Sequence, residues 1–224
     1  DESSRIYFSP AGRLHTIAIE YARTSDSTII SDKYKIYRMS STRGLALGGE
    51  RGNSAKAVIY GGIQYSTSID NMVAQSRMYA HSEEDLLMQR QYLPYNGNIY
   101  AQYLPGTLAE ASSIDSILAS SNIATELITG AEANEESFKA LSGRSYRIMH
   151  IATHGFYDSS SNLRGDKALE ASGLLFSGCN NASEVSGDID DGVLSAWEIS
   201  LLDFGSVDMV VMSACETGLG EISN

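Results

Sequence analysis

The chain has 224 residues, 42% apolar and 20% charged, the composition of a folded globular protein rather than a disordered one. Its 28 acidic against 16 basic residues leave a net charge of −12, which argues against nucleic acid or an anionic membrane as a general partner. Two cysteines, Cys179 and Cys215, cannot build a disulfide framework and lack metal-ligand spacing, and no run approaches the roughly 20 apolar residues of a membrane span. The expectation is a reducing, cytoplasmic compartment, with no metal or organic cofactor.

In chain order, Arg5 to Glu20 reads as a β-hairpin, with Pro10 and Gly12 in its turn. Tyr34 to Met39 alternates like a half-buried strand, and the glycine-rich stretch Gly44 to Gly52 reads as loop. Residues 1–55 are therefore expected to form a β-rich N-terminal part, and 56–224 an α/β core. That core opens on K-A-V-I-Y, Lys56 to Tyr60, an apolar strand followed by Gly61 and Gly62. From Ile63 to Tyr103 the chain is polar and tyrosine-rich, with one short capped helix expected over Ser82 to Arg90. Thr107 and Glu110 have capping-box spacing, and Leu108, Ala111, Ile114, Ile117 and Leu118 mark the apolar face of the helix that follows. Ile123 to Thr129 reads as a strand, and Asn134 to Leu141 as a helix with acids in its first turn. Tyr146 to Gly155 is a further apolar strand. A short strand at Gly173 to Ser177, an acidic loop at Ser183 to Asp191 and a helix capped by Ser195 lead to a last strand, Val207 to Met212. Its apolar run predicts burial on both faces. The alternation β, α, β, α, β, α, β predicts a mostly parallel sheet with helices on both faces.

Two of these strands end in chemistry. One runs into His154 and Gly155, the other into Ala214 and Cys215, both at the carboxyl edge where open α/β sheets carry their sites. A cysteine nucleophile needs a thiolate and a proton donor for the leaving group, and histidine suits that second role. Gly155, without a Cβ, lets its amide approach a substrate carbonyl, and with the Cys215 amide it can form an oxyanion hole. The bland reading is that a cysteine at a strand end is a small hydrophobe and a histidine a satisfied polar group. His150, four residues before His154 on the same pleat face, reads as core or as support for the site. Cys179 reads as a bystander.

The segments H-I-A-T-H-G and V-V-M-S-A-C-E-T-G-L-G-E resemble the two signature motifs of the CHAT-domain family of caspase-like cysteine peptidases. Y-F-S-P-A-G-R-L-H, Y-L-P-G-T, E-E-S-F-K-A-L and D-G-V-L-S-A-W-E-I-S-L-L-D extend the likeness along nearly the whole chain. The resemblance implies a caspase-haemoglobinase-like fold and a cysteine endopeptidase of regulated, bacterial proteolytic signalling, with His154 and Cys215 as the dyad and Gly155 and Cys215 as oxyanion donors. It implies that Ser213 stands where relatives specific for basic residues carry an aspartate; Asp188, Asp190 and Asp191 are the acidic residues expected to rim the cleft. The end at Asn224 falls near the point where caspase relatives are cut. A large-subunit-like piece completed by a second, small-subunit-like chain of the same precursor is thus an expectation, with tetratricopeptide-repeat regions as further partners. The alternative is a catalytically silent scaffold that keeps the fold and binds partners.

Overall fold

Residues 5–10, 14, 17–39, 42, 55–79, 99–157, 169–185 and 189–215 are described by the computed structural model, Cys215 by its backbone alone. The helix expected over Ser82 to Arg90, the loop Gly44 to Gly52, Asp188 and the glycine loop after Cys215 lie outside them. The chain divides into two units, Asp1–Glu50 and Arg51–Asn224.

In the first unit, β1 (Arg5–Phe8) pairs with β2 (Lys35–Arg38) in parallel, not with the segment just after it. The expected hairpin is therefore wrong. Ile19–Tyr21 forms a 3-10 turn, and Arg38 donates to the Ile17 carbonyl at 2.7 Å and to Glu20 at 2.9 and 3.0 Å. Those interactions engage the would-be second strand with β2. Tyr7 and Tyr37 stack at 5.1 Å across the pair. A short helix, α1 (Ile30–Lys33), precedes β2.

The second unit is built on β3 (Lys56–Ile63), whose strand continues through both glycines. A Cβ at Gly61 would lie 2.5 Å from the Thr107 carbonyl oxygen and 2.6 Å from Ala111 Cβ. Only glycine allows this close approach of α3 (Pro105–Ser120) to the sheet. The helix starts at Pro105, two residues before the expected cap. Thr107 instead accepts a hydrogen bond from the Gly62 amide at 3.0 Å and donates to the Leu104 carbonyl at 2.7 Å. Of the expected apolar face only Ala111 is fully buried; Leu108 and Ile117 are exposed.

β4 (Ala124–Gly130), β5 (Ile148–Tyr157) and β8 (Met209–Cys215) complete the parallel part of the sheet, through the pairs β3–β4, β3–β5 and β5–β8. β6 (Ser172–Leu175) and β7 (Val193–Ser195) add antiparallel pairs at the end of β5. The sheet is thus mixed rather than mostly parallel. Helical crossovers serve the parallel pairs, whereas antiparallel neighbours need none. The helix α2 (Ile69–Ser76) follows β3 and is capped by the Ser68 hydroxyl.

The face opposite α3 holds the main core. There Tyr60 and Phe176 meet edge to face at 5.7 Å, and Phe138 of α4 (Glu135–Lys139) packs on both. Asn134 caps α4 through its side chain, and Ser195, the expected cap, forms a capping box with Glu198 on α5 (Ala196–Ser200). The expectation of burial on both faces fails for β8. Met209, Val210, Val211 and Met212 are all exposed, because β8 has β5 as its one strand partner among the described residues.

Candidate active site

The register of β5 against β8 sets His154 opposite Cys215, at the carboxyl ends of two adjacent parallel strands. On β5, His154 shares its pleat face with His150, which lies 3.1 Å from Glu110 of α3. Ser213 and Ala152 pair one pleat below, and Val211 and His150 one pleat below that.

His154 is buried and held at several points. Its Nε2 lies 2.8 Å from the Gln102 carbonyl oxygen. A carbonyl only accepts, so the proton sits on Nε2 and the basic lone pair of the neutral ring on Nδ1. The ring lies 5.1 Å from that of Tyr65, whose hydroxyl accepts from the His154 backbone amide at 3.3 Å. That hydroxyl is 3.0 Å from Thr153 Oγ1, which itself donates to the Leu175 carbonyl. Tyr65 therefore donates to Thr153, completing a chain from β6 through β5 to the second residue after β3. Burial raises the pKa of Tyr65, which keeps it a neutral donor.

The Gln102 carbonyl owes its place to Asn180. The Asn180 amide accepts from Ala101 N–H at 2.6 Å and donates to the Ala101 carbonyl at 2.9 Å, and to Ser66 Oγ at 2.8 Å. This double grip fixes the extended segment before α3. Beside it lies an open depression of about 400 Å³ lined by Tyr65, Ser66, Tyr100, Gln102 and Tyr103. Gly155 continues β5 in register with Leu174 of β6. A Cβ there would make only ordinary contacts, the nearest 3.6 Å away, so packing does not demand the glycine.

The remaining site expectations fall elsewhere. Asp190 Oδ1 binds Lys139 Nζ at 2.9 Å, in a cluster that includes Glu135 at 2.6 Å and Glu198 at 3.0 Å. Burial lowers the Lys139 pKa, but these carboxylates outweigh it and the net shift is upward. Burial and then the Asp190 charge push Glu135 well up; burial also raises Asp190. Asp191 accepts from the Val193 amide at 2.8 Å. Both aspartates thus serve the internal architecture of their loop. Cys179 is buried, its thiol pushed up to about 12 by burial and then by Asp191, so it remains protonated.

Four contributors were not singled out from sequence: the Gln102 carbonyl, Tyr65, Asn180 and Glu110. The first is a backbone group and has no side-chain signature. Glu110 stood out only for a capping role that the helix start removes. Its carboxylate instead accepts from Ser213 Oγ at 3.2 Å through one oxygen, while the other lies 3.1 Å from His150 Nε2, off the hydrogen-bond axis.

A mixed α/β sheet that sets a histidine against a cysteine at one strand edge defines a class of proteins with a His–Cys pair at the sheet rim. The family model for the CHAT domain matches residues 1–224, and the chain belongs to that family, which is of the caspase-like clan CD. No curated protein and no solved structure matches the chain. No helix among the described residues is long and apolar enough to cross a membrane.

Proposed function

We propose that the chain is the dyad-bearing part of a caspase-like cysteine endopeptidase. The observation that carries this reading is the register of His154 against Cys215, with the imidazole steadied by the Gln102 carbonyl. The strand order β4-β3-β5, with β8 laid along β5 and α3 against one face, supports a caspase-haemoglobinase-like core.

In this reading the Cys215 thiolate attacks the carbonyl carbon of a peptide bond. The resulting oxyanion is met by the Gly155 and Cys215 amides. His154, protonated on both nitrogens, delivers a proton to the leaving amine as the C–N bond breaks and a thioester remains. Water, its proton accepted by His154, hydrolyses the thioester and returns the thiol. Ser213 borders the subsite for the residue before the scissile bond, and the tyrosine-lined depression beside His154 receives the peptide. The open side of β8 takes the added strands of a small-subunit-like partner from the same precursor.

The test is a peptide library and a cysteine-reactive peptide probe applied to wild type, Cys215→Ala and His154→Ala. Selective probe labelling at Cys215, with hydrolysis lost in Cys215→Ala and reduced about 10²–10⁴-fold in His154→Ala, is expected. A folded wild-type protein that neither hydrolyses a peptide nor labels at Cys215 overturns the proposal and leaves the silent scaffold.

A further inference from the structure

We infer that Glu110 is a positioning residue that sets the register of the cysteine strand on the histidine strand. The inference rests on the peptidase reading only for its consequence in turnover, not for the geometry.

β8 has β5 as its one strand partner among the described residues. A strand register is normally chosen by which side chains it buries. β8 cannot choose that way, since Met209, Val210, Val211 and Met212 are exposed on both faces. Two side-chain ties remain among the described residues. At its foot Asp208 pairs with Arg147 at 3.0 Å, and Arg147 is more than half exposed, so this tie is weak. Near its top Ser213 donates to Glu110. The same carboxylate reaches His150, so it spans both strands from above. The backbone of Glu110 is itself fixed, because α3 is locked on β3 by the contacts at Gly61 and Gly62.

The consequence falls two residues further along. A slip of one residue would turn Cys215 to the opposite face, and a slip of two would move it by roughly 6.6 Å along the strand. Either separates it from His154. Glu110 thus acts on the dyad through Ser213 and His150.

The test is amide hydrogen exchange of residues 210–214 in wild type, Glu110→Ala, Glu110→Gln and Ser213→Ala. Glu110→Ala should speed exchange in β8 about tenfold and Ser213→Ala about fivefold, with β3 and β4 unchanged. Glu110→Gln should lie within about twofold of wild type, since a carboxamide keeps an acceptor for Ser213 and offers a donor to His150. In peptide hydrolysis Glu110→Ala should lower kcat with KM held, and Glu110→Gln should restore it. Exchange within twofold of wild type in Glu110→Ala overturns the inference, as does equal acceleration in β3 and β4. Should Glu110→Ala fail to fold, Ser213→Ala decides. Should wild type hydrolyse no peptide, the functional reading fails while the exchange pattern still decides this one.

Discussion

β5 and β8 run side by side, paired from Ile148 and Met209 up to His154 and Cys215, with nearly interchangeable sequences: I-M-H-I-A-T-H against M-V-V-M-S-A-C. Yet Ile151 is 3% exposed and its register partner Met212 58%. β5 has β3 on one side, β8 on the other, the aromatic core on one face and α3 on the other. Among the described residues β8 has β5 as its one strand partner and a Ser213 hydrogen bond to Glu110 of α3. Apolar composition therefore reports that a strand is built to be covered, and the neighbours decide whether it is. The His154–Cys215 register pair straddles this boundary, with the histidine on the covered strand and the cysteine on the exposed one.

The sharpest way to break the comparison is to truncate register partners. Ile151→Ala empties part of the core and should cost about 3 kcal/mol. Met212→Ala removes a side chain that water already reaches, and should cost less than about 1 kcal/mol. Urea unfolding of the two variants checks this. Equal losses would mean that β8 is covered in solution by something absent from this structure.

The same boundary explains what could be read from the sequence. Strands β3, β4 and β5 and the capped helices α4 and α5 were legible, because local pattern and burial agree there. The pairing of His154 with Cys215 was legible because two strands of like design end in chemical residues. The exposure of β8 was not, since Val210 and Met212 look the same whether or not a layer covers them. Neither was the parallel pair β1–β2, which depends on Arg38 reaching Glu20 and Ile17 across the fold. Asp190 and Asp191 looked like a solvated acidic rim, and only tertiary structure brings Lys139 into their loop. The grip of Asn180 on Ala101 joins residues far apart in sequence and carries no local signal.

A second, smaller effect sharpens the contrast on the covered side. Glu136 accepts from the Asp190 amide at 3.0 Å, and its pKa is raised to about 7 by burial and then by the Asp190 charge. The folded protein thus holds a proton there that the unfolded chain releases near the ordinary carboxyl value of 4.5. Protons bound in excess by the folded state mean that stability falls as pH rises, here between about 4.5 and 7. Glu136→Gln keeps the acceptor and removes the ionisation. It should leave thermal stability unchanged at pH 4 and raise it at pH 8, by an amount on the order of 2 kcal/mol. A gain of equal size at both pH values would show that ionisation is not the cause.

The smallest effect concerns what holds β5 at the site and has no counterpart on β8. The Tyr65 hydroxyl takes the His154 amide and gives to Thr153, while the ring packs beside the imidazole. Tyr65→Phe keeps the ring and removes only the hydroxyl. Thr153 retains its bond to the Leu175 carbonyl, but the His154 amide loses its side-chain acceptor. The stability loss should be about 1 kcal/mol, the net worth of one such bond. The informative readout is local: exchange of the His154 amide should accelerate, while amides at 210–214 on β8 stay as in wild type. That pattern would show the two strands to be held independently, β5 from beneath by Tyr65 and β8 from above by Glu110. Acceleration on both strands would mean instead that β8 takes its order from β5, and that the anchoring of the cysteine begins at the histidine.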